Sequence, residues 1–393
     1  MSQKVITRFP PSPTGPFHIG NVRTALFNYL FAKNHGGDFI LRIEDTDKAR
    51  SKDEYEKGIL GGLEWLGLKW DNKPTRQSER TKVYKKYLEK LIEEDKAYVS
   101  VETEGENKEV IRFRNPNKQV SFNDLVRGEV KFNTTELGDF IIAKNVNEPL
   151  YHLAVVIDDF ESGVTHVIRG EDHISNTPRQ ILILEAIGGE RPIYAHLPLI
   201  LASDRSKLSK RKHGESVSLD YYKQKGYLPQ AILNYLSLLG WNPGTDKEIF
   251  TLDELVKDFD VSKIQKGGAI FDEKKLDWVN KEHIKLLPQK ERELLLTKDF
   301  DLKAVPKPLK EKICWKETSK EETLRHLLKV KEIISEEGDL MMYATEAGKG
   351  NVLWPLRYAL SGQETSPDPF TLISVLGKDE SIKRIEKAIE ILD

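Results

Sequence analysis

The stretch R-F-P-P-S-P-T-G-P-F-H-I-G, residues 8–20, decides how the rest of the chain is read. It joins a short, largely apolar run (residues 5–9) to a stripe with helical spacing, Val22, Leu26, Tyr29 and Leu30, which Gly36 and Gly37 can end. Three prolines followed by Gly15 set a stiff turn between the two. A helix that starts at such a turn points its free N–H groups at the mouth of a sheet, where anions bind. Gly20 would let the backbone approach a ligand, and His18 would stand there as a donor able to neutralise phosphate charge. A lone H-x-G would be a Pro-rich turn with an exposed histidine, but the whole string in this position reads as a phosphate site. G-x-x-x-x-G-K-[ST] occurs nowhere, which excludes a P-loop NTPase.

Outward from this turn, residues 39–43 are nearly continuously apolar, as a strand covered on both faces is. Residues 51–54 have a capping-box pattern, and Tyr55, Ile59, Leu63 and Leu66 continue a helical stripe. The alternation predicts right-handed crossovers and a parallel sheet. Between about 97 and 138 short strand candidates (110–114, 130–133) alternate with polar turns, which reads as an inserted antiparallel module. The alternation then resumes, with strands predicted at 153–157, 166–168 and 197–201. A helix through Ile187 has Asn176 as its cap and Pro178 in its first turn. Beyond Gly214 the chain reads as mostly helical. Pro229 opens a helix that Gly240 closes, and Pro306 and Pro308 mark a junction. Ser319 caps a helix with Glu322, and Ile382, Ile385, Ala388, Ile389 and Leu392 form a last stripe.

A chain of 393 residues is too long for one compact core and suggests two or three domains. With 38% hydrophobic and 32% charged residues it is globular rather than disordered. The single cysteine, Cys314, excludes an intramolecular disulfide and a thiolate zinc cluster, and reads as a buried structural side chain. No apolar run is long enough for a membrane span. Residues 1–9 lack the order of a signal peptide, so a cytoplasmic location is expected. Lys+Arg total 61 against 63 Asp+Glu, a net charge of -2 that by itself argues against a nucleic-acid partner. Such a total can conceal local patches.

One such patch is D-R-S-K-L-S-K-R-K-H, residues 204–213, with five Lys/Arg in ten residues. It reads either as a solvated basic surface or as a mobile loop whose Lys207 and Lys210 close on a triphosphate. Small residues (Ser206, Ser209) lie between the two point charges. Position favours the second reading, because the loop follows a predicted core strand of the sheet that carries His18.

P-S-P-T-G-x-x-H-I-G and K-L-S-K-R resemble the two signature motifs of class I aminoacyl-tRNA synthetases. Arg8 before the first motif, R-I-E-D-T-D (42–47), Y-H-L-A from Tyr151 with Asp158 and Asp159, and V-I-R-G-E-D-H (167–173) narrow this to the bacterial glutamyl-tRNA synthetase family. So do A-I-F-D-E-K-K-L-D-W-V-N (269–280) and P-L-R-Y-A-L-S-G from Pro355. The resemblance implies an α/β fold: a Rossmann-like parallel-sheet catalytic domain (1–96 and 141–213) interrupted by a small inserted α+β module for the acceptor end (97–140). A stem-contact region (214–284) and a helical anticodon-binding domain (285–393) would follow.

It also implies roles. Arg8 and Arg169 would hold the carboxylate side chain of L-glutamate and reject glutamine, with Glu44 on the α-ammonium and Ser12 and Tyr151 completing the pocket. Without the family match, a salt bridge within the fold, such as Arg169 with Glu171 or Asp172, would be the better reading of these arginines. His18, Lys207 and Lys210 would bind the ATP phosphates in the transition state, with Thr14, Gly20 and Asp172 also on the nucleotide. Mg²⁺ is expected with ATP, no zinc is expected, and the first step would need bound tRNA. Arg112 and Arg114, with Lys108, Lys118 and Arg127, are candidates for the acceptor end. Arg325 and Arg357, with Trp315 and Trp354, are candidates for the anticodon. The expected partners are tRNA(Glu), L-glutamate and ATP, with no membrane, and the chain is expected to be a monomer. Alternatives are a non-discriminating enzyme that also charges tRNA(Gln), a paralogue glutamylating another tRNA, a silent RNA-binding relative, and an ordinary nucleotidyltransferase of the same superfamily.

Overall fold

A computed structural model of the chain describes residues 3–102, 109–209, 212, 214–297, 306, 308–316, 318–336 and 338–393. The chain divides into two compact units, Met1–His283 and Ile284–Asp393. The boundary lies more than twenty residues before Pro306 and Pro308, so those prolines sit inside the second unit rather than at its edge.

The first unit opens as the periodicity predicts. Strand β1 (Ile6–Phe9), helix α1 (Ile19–Asn34), strand β2 (Asp38–Ile43), helix α2 (Asp53–Leu66) and strand β3 (Thr75–Arg76) follow in turn. The strands are parallel in the order β1-β2-β3, with Ile6 opposite Asp38 and Arg42 opposite Thr75. Gly37 closes the turn into β2 because a Cβ there would lie 2.2 Å from the Val5 carbonyl oxygen. Helix α2 has Lys52 as its N-cap and no side-chain capping bond, so the expected Ser51 box does not form. Three acids in its first turn complement the helix dipole instead.

After helix α3 (Thr81–Glu93) the strands of the insertion divide between two sheets. Strands β4 (Ala97–Val101) and β5 (Glu109–Phe113) start an antiparallel sheet. Strands β6 (Gln119–Asp124) and β7 (Gly128–Asn133) leave it as a hairpin, and β8 (Phe140–Asn145) and β9 (Glu148–Pro149) then complete it. Residues 153–157, expected as a strand, lie within helix α4 (Tyr151–Glu161). A five-residue apolar run has no periodicity to separate a buried helix from a buried strand, and only the eleven-residue length separates them.

Strand β10 (His166–Gly170), helix α5 (Thr177–Ala186) and strand β11 (Ile193–Leu197) restore the parallel pattern. A 3-10 turn (Glu171–Asn176) leads directly into α5, which leaves Asn176 in helical φ/ψ without a side-chain cap bond. Strand β11 pairs on its other side with β6, so the hairpin belongs to this sheet. The Thr165 N–H donates to the Ile6 carbonyl and the Ile6 N–H donates to Thr165 Oγ1, which lays β10 beside β1. The strand expected at 197–201 is displaced: β11 ends at Leu197, and β12 (Ile200–Leu201) pairs with β13 (Ala269–Ile270) in a separate ladder. Pro198, between them, cannot donate to a ladder.

Burial follows the layers. Phe9, Leu26, Phe27, Leu41, Leu63, Leu197, Leu233 and Trp241 share one core, and Leu88, Phe113, Val120, Leu153, Ile157, Val167 and Leu182 share another that joins the insertion to α4 and α5. The second unit is helical. Helices Lys320–Ser335, Lys349–Ser361 and Lys378–Leu392 enclose Leu327, Val330, Leu356, Leu360, Ile385, Ala388 and Leu392. Ser319 caps the first of these as expected, accepting from the Glu322 N–H. Cys314 is half-buried against this core rather than enclosed by it.

Candidate active site

A cleft of about 360 Å³ opens where β1, β2 and β10 end and the chain turns into α1, the point at which parallel sheets bind ligands. Arg8, Ser12, Thr14, His18, Gly20, Glu44, Tyr151, Arg169, Asp172 and Lys207 all line it. Lys210, expected beside Lys207, lies outside the described residues, as does Lys108. Residues separated by up to two hundred positions meet here because the parallel strands bring their C-terminal ends to one edge.

One side of the cleft is a network of buried charges. Arg8 Nε pairs with Asp159 at 3.2 Å, and Arg42 pairs with Asp159 (2.8 Å), Glu44 (3.2 Å) and Asp158 (3.6 Å). Asp158 is further held by Arg80 at 2.7 Å, Gln77 at 2.8 Å and Tyr84 at 2.9 Å. Burial pushes Asp159 up, but the Arg8 and Arg42 guanidiniums win and hold it below the usual carboxylate range. Arg42 is shifted upward, because Asp159, Glu44 and Asp158 outweigh its desolvation. Glu44 goes the other way: burial, with Asp159 nearby, raises it more than Arg42 and Arg8 lower it.

Arg169 has no carboxylate partner among the described residues. Its three bonds run to neutral acceptors: His196 Nε2 at 3.2 Å, Gln180 Oε1 at 2.7 Å and Thr177 Oγ1 at 2.8 Å. The salt bridge to Glu171 or Asp172 that would make it a structural residue does not form; Glu171 pairs with Arg127 and Asp172 with Lys207. Burial lowers the Arg169 pKa, as expected of a cation without a counter-charge. Arg8, by contrast, has its structural ion pair, yet its Nη1 is buried with no hydrogen-bond partner. Four guanidiniums (Arg8, Arg42, Arg80, Arg169) against three carboxylates (Glu44, Asp158, Asp159) leave one positive charge in this wall.

The other side is built on the start of α1. His18 is the N-cap, and its Nδ1 accepts the Gly20 N–H at 2.9 Å, which leaves Nε2 as the N–H that faces outward. Burial, and then Lys207, lower its pKa to about 4, so it donates as a neutral imidazole and carries no charge to phosphate in the free chain. The N–H groups of Asn21 and Val22 are bonded to the His18 carbonyl. The helix start is therefore mostly closed to an anion, and the side chain is the donor instead. Gly20 serves the imidazole: a Cβ would lie 3.2 Å from His18 Nδ1.

Lys207 reaches across to Asp172 at 2.6 Å. It sits in a tight reversal rather than a free loop, with Ala202 N bonded to the Ser206 carbonyl, Leu208 N bonded to the Ile200 carbonyl, and Leu208 buried as an anchor. Glu44 and Asp172 are the carboxylates lining the cleft, and no group of three His, Cys, Asp or Glu among the described residues is placed to hold a metal.

The RNA candidates are less free than their sequence suggests. Arg112 pairs with Glu102 and Arg114 with Asp95, Lys118 bonds Glu185, and Arg127 is held by Glu171 and two backbone carbonyls. In the second unit Arg325 is largely exposed, 3.9 Å from Glu322. Arg357 stacks over Trp354, whose ring lies 4.9 Å from that of Trp315. Asp159, Arg42, Gln180, Thr177 and His196 were not named as site components; the paired aspartates beside Y-H-L-A and the first residue of R-I-E-D-T-D were the sequence signals for two of them.

The family model described as tRNA synthetases class I (E and Q), catalytic domain, matches residues 4–108 and 101–278, and the model for an anticodon binding domain matches residues 280–389. Glutamate–tRNA ligase of Carboxydothermus hydrogenoformans is 40% identical over 476 aligned residues, covering 97% of this chain and 99% of that one. Glutamate–tRNA ligase 1 of Petrotoga mobilis is 39% identical over 458, covering 98% and 97%. The solved glutamate tRNA ligase of Elizabethkingia meningosepticum, in complex with its amino acid, superposes with a TM-score of 0.80 at 33% identity over the whole of both chains. With both domain models matched and relatives aligned along nearly its full length, this chain belongs to the class I tRNA synthetases of the E and Q group.

Proposed function

We propose that the chain is a glutamate–tRNA ligase, joining L-glutamate to the 3′ end of tRNA(Glu) through a glutamyl-adenylate. The single observation that carries this reading is the charge of the cleft wall. One guanidinium with no carboxylate partner among the described residues, Arg169, and one carboxylate lining the cleft, Glu44, match an amino acid with two carboxylates and one ammonium. Arg169 and the unpartnered Nη1 of Arg8 take the side-chain carboxylate, and Glu44 takes the ammonium. Glutamine would leave the Arg169 charge buried and unpaired, which is how a site built on a charged hydrogen bond rejects an isostere.

The α-carboxylate oxygen attacks the α-phosphorus of ATP. A new P–O bond forms, the bond to the bridging oxygen breaks, and pyrophosphate leaves with the electron pair. His18 Nε2–H donates to the phosphates. Lys207 leaves Asp172 for the triphosphate, with Lys210 in the same role, and Thr14 and Gly20 flank the nucleotide. Mg²⁺ neutralises triphosphate charge when bound. An ion carried by the nucleotide keeps most of its waters, so the one carboxylate on the Lys207 side, Asp172, suits it without a dedicated cage. The ribose 2′-hydroxyl of the tRNA then attacks the acyl carbon and AMP departs.

Assigning 97–140 to the acceptor end, 214–284 to stem contacts and 285–393 to the anticodon follows from the family resemblance, as do cytoplasmic and monomeric action. The half-buried Trp315–Trp354 pair with Arg357 supports base stacking in the second unit. The test is ATP–pyrophosphate exchange in the presence of tRNA(Glu). Exchange with glutamate and little with glutamine or aspartate supports the assignment, and equal exchange with glutamine removes it.

A further inference from the structure

His196 is fully buried on β11, one strand beyond the Arg169 strand, and takes no part in the chemistry above. Its Nδ1 lies 2.6 Å from Asp124 Oδ2 and its Nε2 3.2 Å from Arg169 Nε. A carboxylate only accepts and a guanidinium only donates, so the tautomer is settled: the proton is on Nδ1 and Nε2 is the acceptor. The Thr177 hydroxyl closes a ring, accepting from Arg169 Nη2 at 2.8 Å and lying 3.1 Å from His196 Nε2. Asp124 comes from the end of β6, at the tip of the inserted hairpin. Its Oδ1 accepts the N–H groups of Val126 and Arg127, both at 2.9 Å, so the turn itself fixes which oxygen faces His196.

Resting on the proposed glutamate pocket, we infer that Asp124 and His196 are positioning residues that set the guanidinium plane of Arg169 for the substrate carboxylate. Among the described residues nothing else bonds Arg169 Nε. Rotation about the last side-chain bonds would swing the fork away from the cleft, and Gln180 and Thr177 each hold only one outer nitrogen. An ionised acceptor in direct contact would cancel the charge the substrate needs. A neutral imidazole, with its carboxylate one residue further back, orients the arginine without doing so. The device also ties the pocket to the inserted hairpin through one side chain.

Three substitutions separate orientation from packing. His196→Asn keeps a donor where Nδ1 was and removes the acceptor for Arg169, whereas His196→Gln places an amide oxygen where Nε2 was. In Asp124→Asn the turn N–H groups keep the amide oxygen at Oδ1, so the NH₂ faces His196 and forces the proton onto Nε2, donor against donor with Arg169.

The experiment is pyrophosphate exchange with tRNA(Glu), reading KM for glutamate and for ATP separately, with thermal unfolding as a control. His196→Asn and Asp124→Asn should raise the glutamate KM roughly tenfold, as expected for one lost hydrogen bond to a charged group, with the ATP KM within about twofold. His196→Gln should return it to within about threefold of the parent. The inference is overturned if Asn and Gln at 196 behave alike, or if glutamate and ATP KM rise together. An unaltered chain that shows no glutamate-dependent exchange would instead remove the glutamate reading itself.

Discussion

Arg169→Met separates what a residue does for binding from what it does for folding. In the free chain Arg169 is a buried guanidinium with three neutral acceptors and no counter-ion among the described residues. Removing it leaves the Gln180 acceptor unmatched, while the Thr177 hydroxyl can still donate to His196. That loss is about 1–3 kcal/mol. Against it stands relief of an unpaired buried charge, which costs several kcal/mol to desolvate. The two nearly cancel, so unfolding free energy should change by no more than about 2 kcal/mol in either sense. Asp159→Asn is the contrast. It strips Arg8 of its ion-pair partner and Arg42 of its shortest one, and breaking such a pair costs about 3–5 kcal/mol. For glutamate the order reverses. Arg169→Met removes up to two charged hydrogen bonds, worth about 3–6 kcal/mol, so the glutamate KM should rise by about a hundredfold or more. The assays are denaturant unfolding and tRNA-dependent pyrophosphate exchange on both variants. A methionine variant as unstable as Asp159→Asn, or one that still binds glutamate normally, would refute the idea of a substrate-neutralised charge.

Other outcomes follow from the same geometry. Lys207→Ala should leave stability within about 0.5 kcal/mol, since its pair with Asp172 is exposed, while lowering kcat for exchange by about 10²–10³; unchanged turnover would make the basic segment mere surface. His18, His152, His166 and His173 are each depressed to about 4, with burial as the first cause, so the unfolded chain binds more protons than the folded one between pH 6.5 and 4. Stability should therefore fall as pH drops through that window, with a shallower slope in His166→Gln; urea titrations flat from pH 7 to 4.5 would contradict this. Gly62→Ala should destabilise by about 1–3 kcal/mol despite better helix propensity, because its Cβ would meet Phe17 at 2.7 Å and Leu219 at 3.0 Å; a rise in Tm would show that α2 can shift.

The cleft was legible because its residues stand in strings at strand ends. The turn after β1 announces His18, R-I-E-D-T-D places Glu44 at the end of β2, and V-I-R-G-E-D-H places Arg169 and Asp172 at the end of β10. What surrounds them was not legible, for two physical reasons. Partners such as Arg8 and Asp159, or His196 and Asp124, sit 151 and 72 residues apart and carry no local pattern. Buried runs such as L-A-V-V-I in α4 have no amphipathic period, so strand and helix look alike until their length is known. The insertion misled for a related reason. Its alternating strands reveal hairpins, but not that β6 would cross to pair with β11 and place Asp124 under the pocket.

The near-neutral net charge of -2, which alone argues against an RNA partner, carries no weight once the family is known. An enzyme that must release a large polyanion has no need of a global basic excess. The most direct test of the central claim is charging: purified tRNA(Glu) and tRNA(Gln), incubated separately with the chain, ATP, Mg²⁺ and labelled glutamate or glutamine. Labelled glutamate on tRNA(Glu), with no transfer of glutamine, is the expected result. Acceptance of glutamine, or failure to charge any tRNA with glutamate, would contradict it, and glutamate appearing on tRNA(Gln) as well would identify the non-discriminating form.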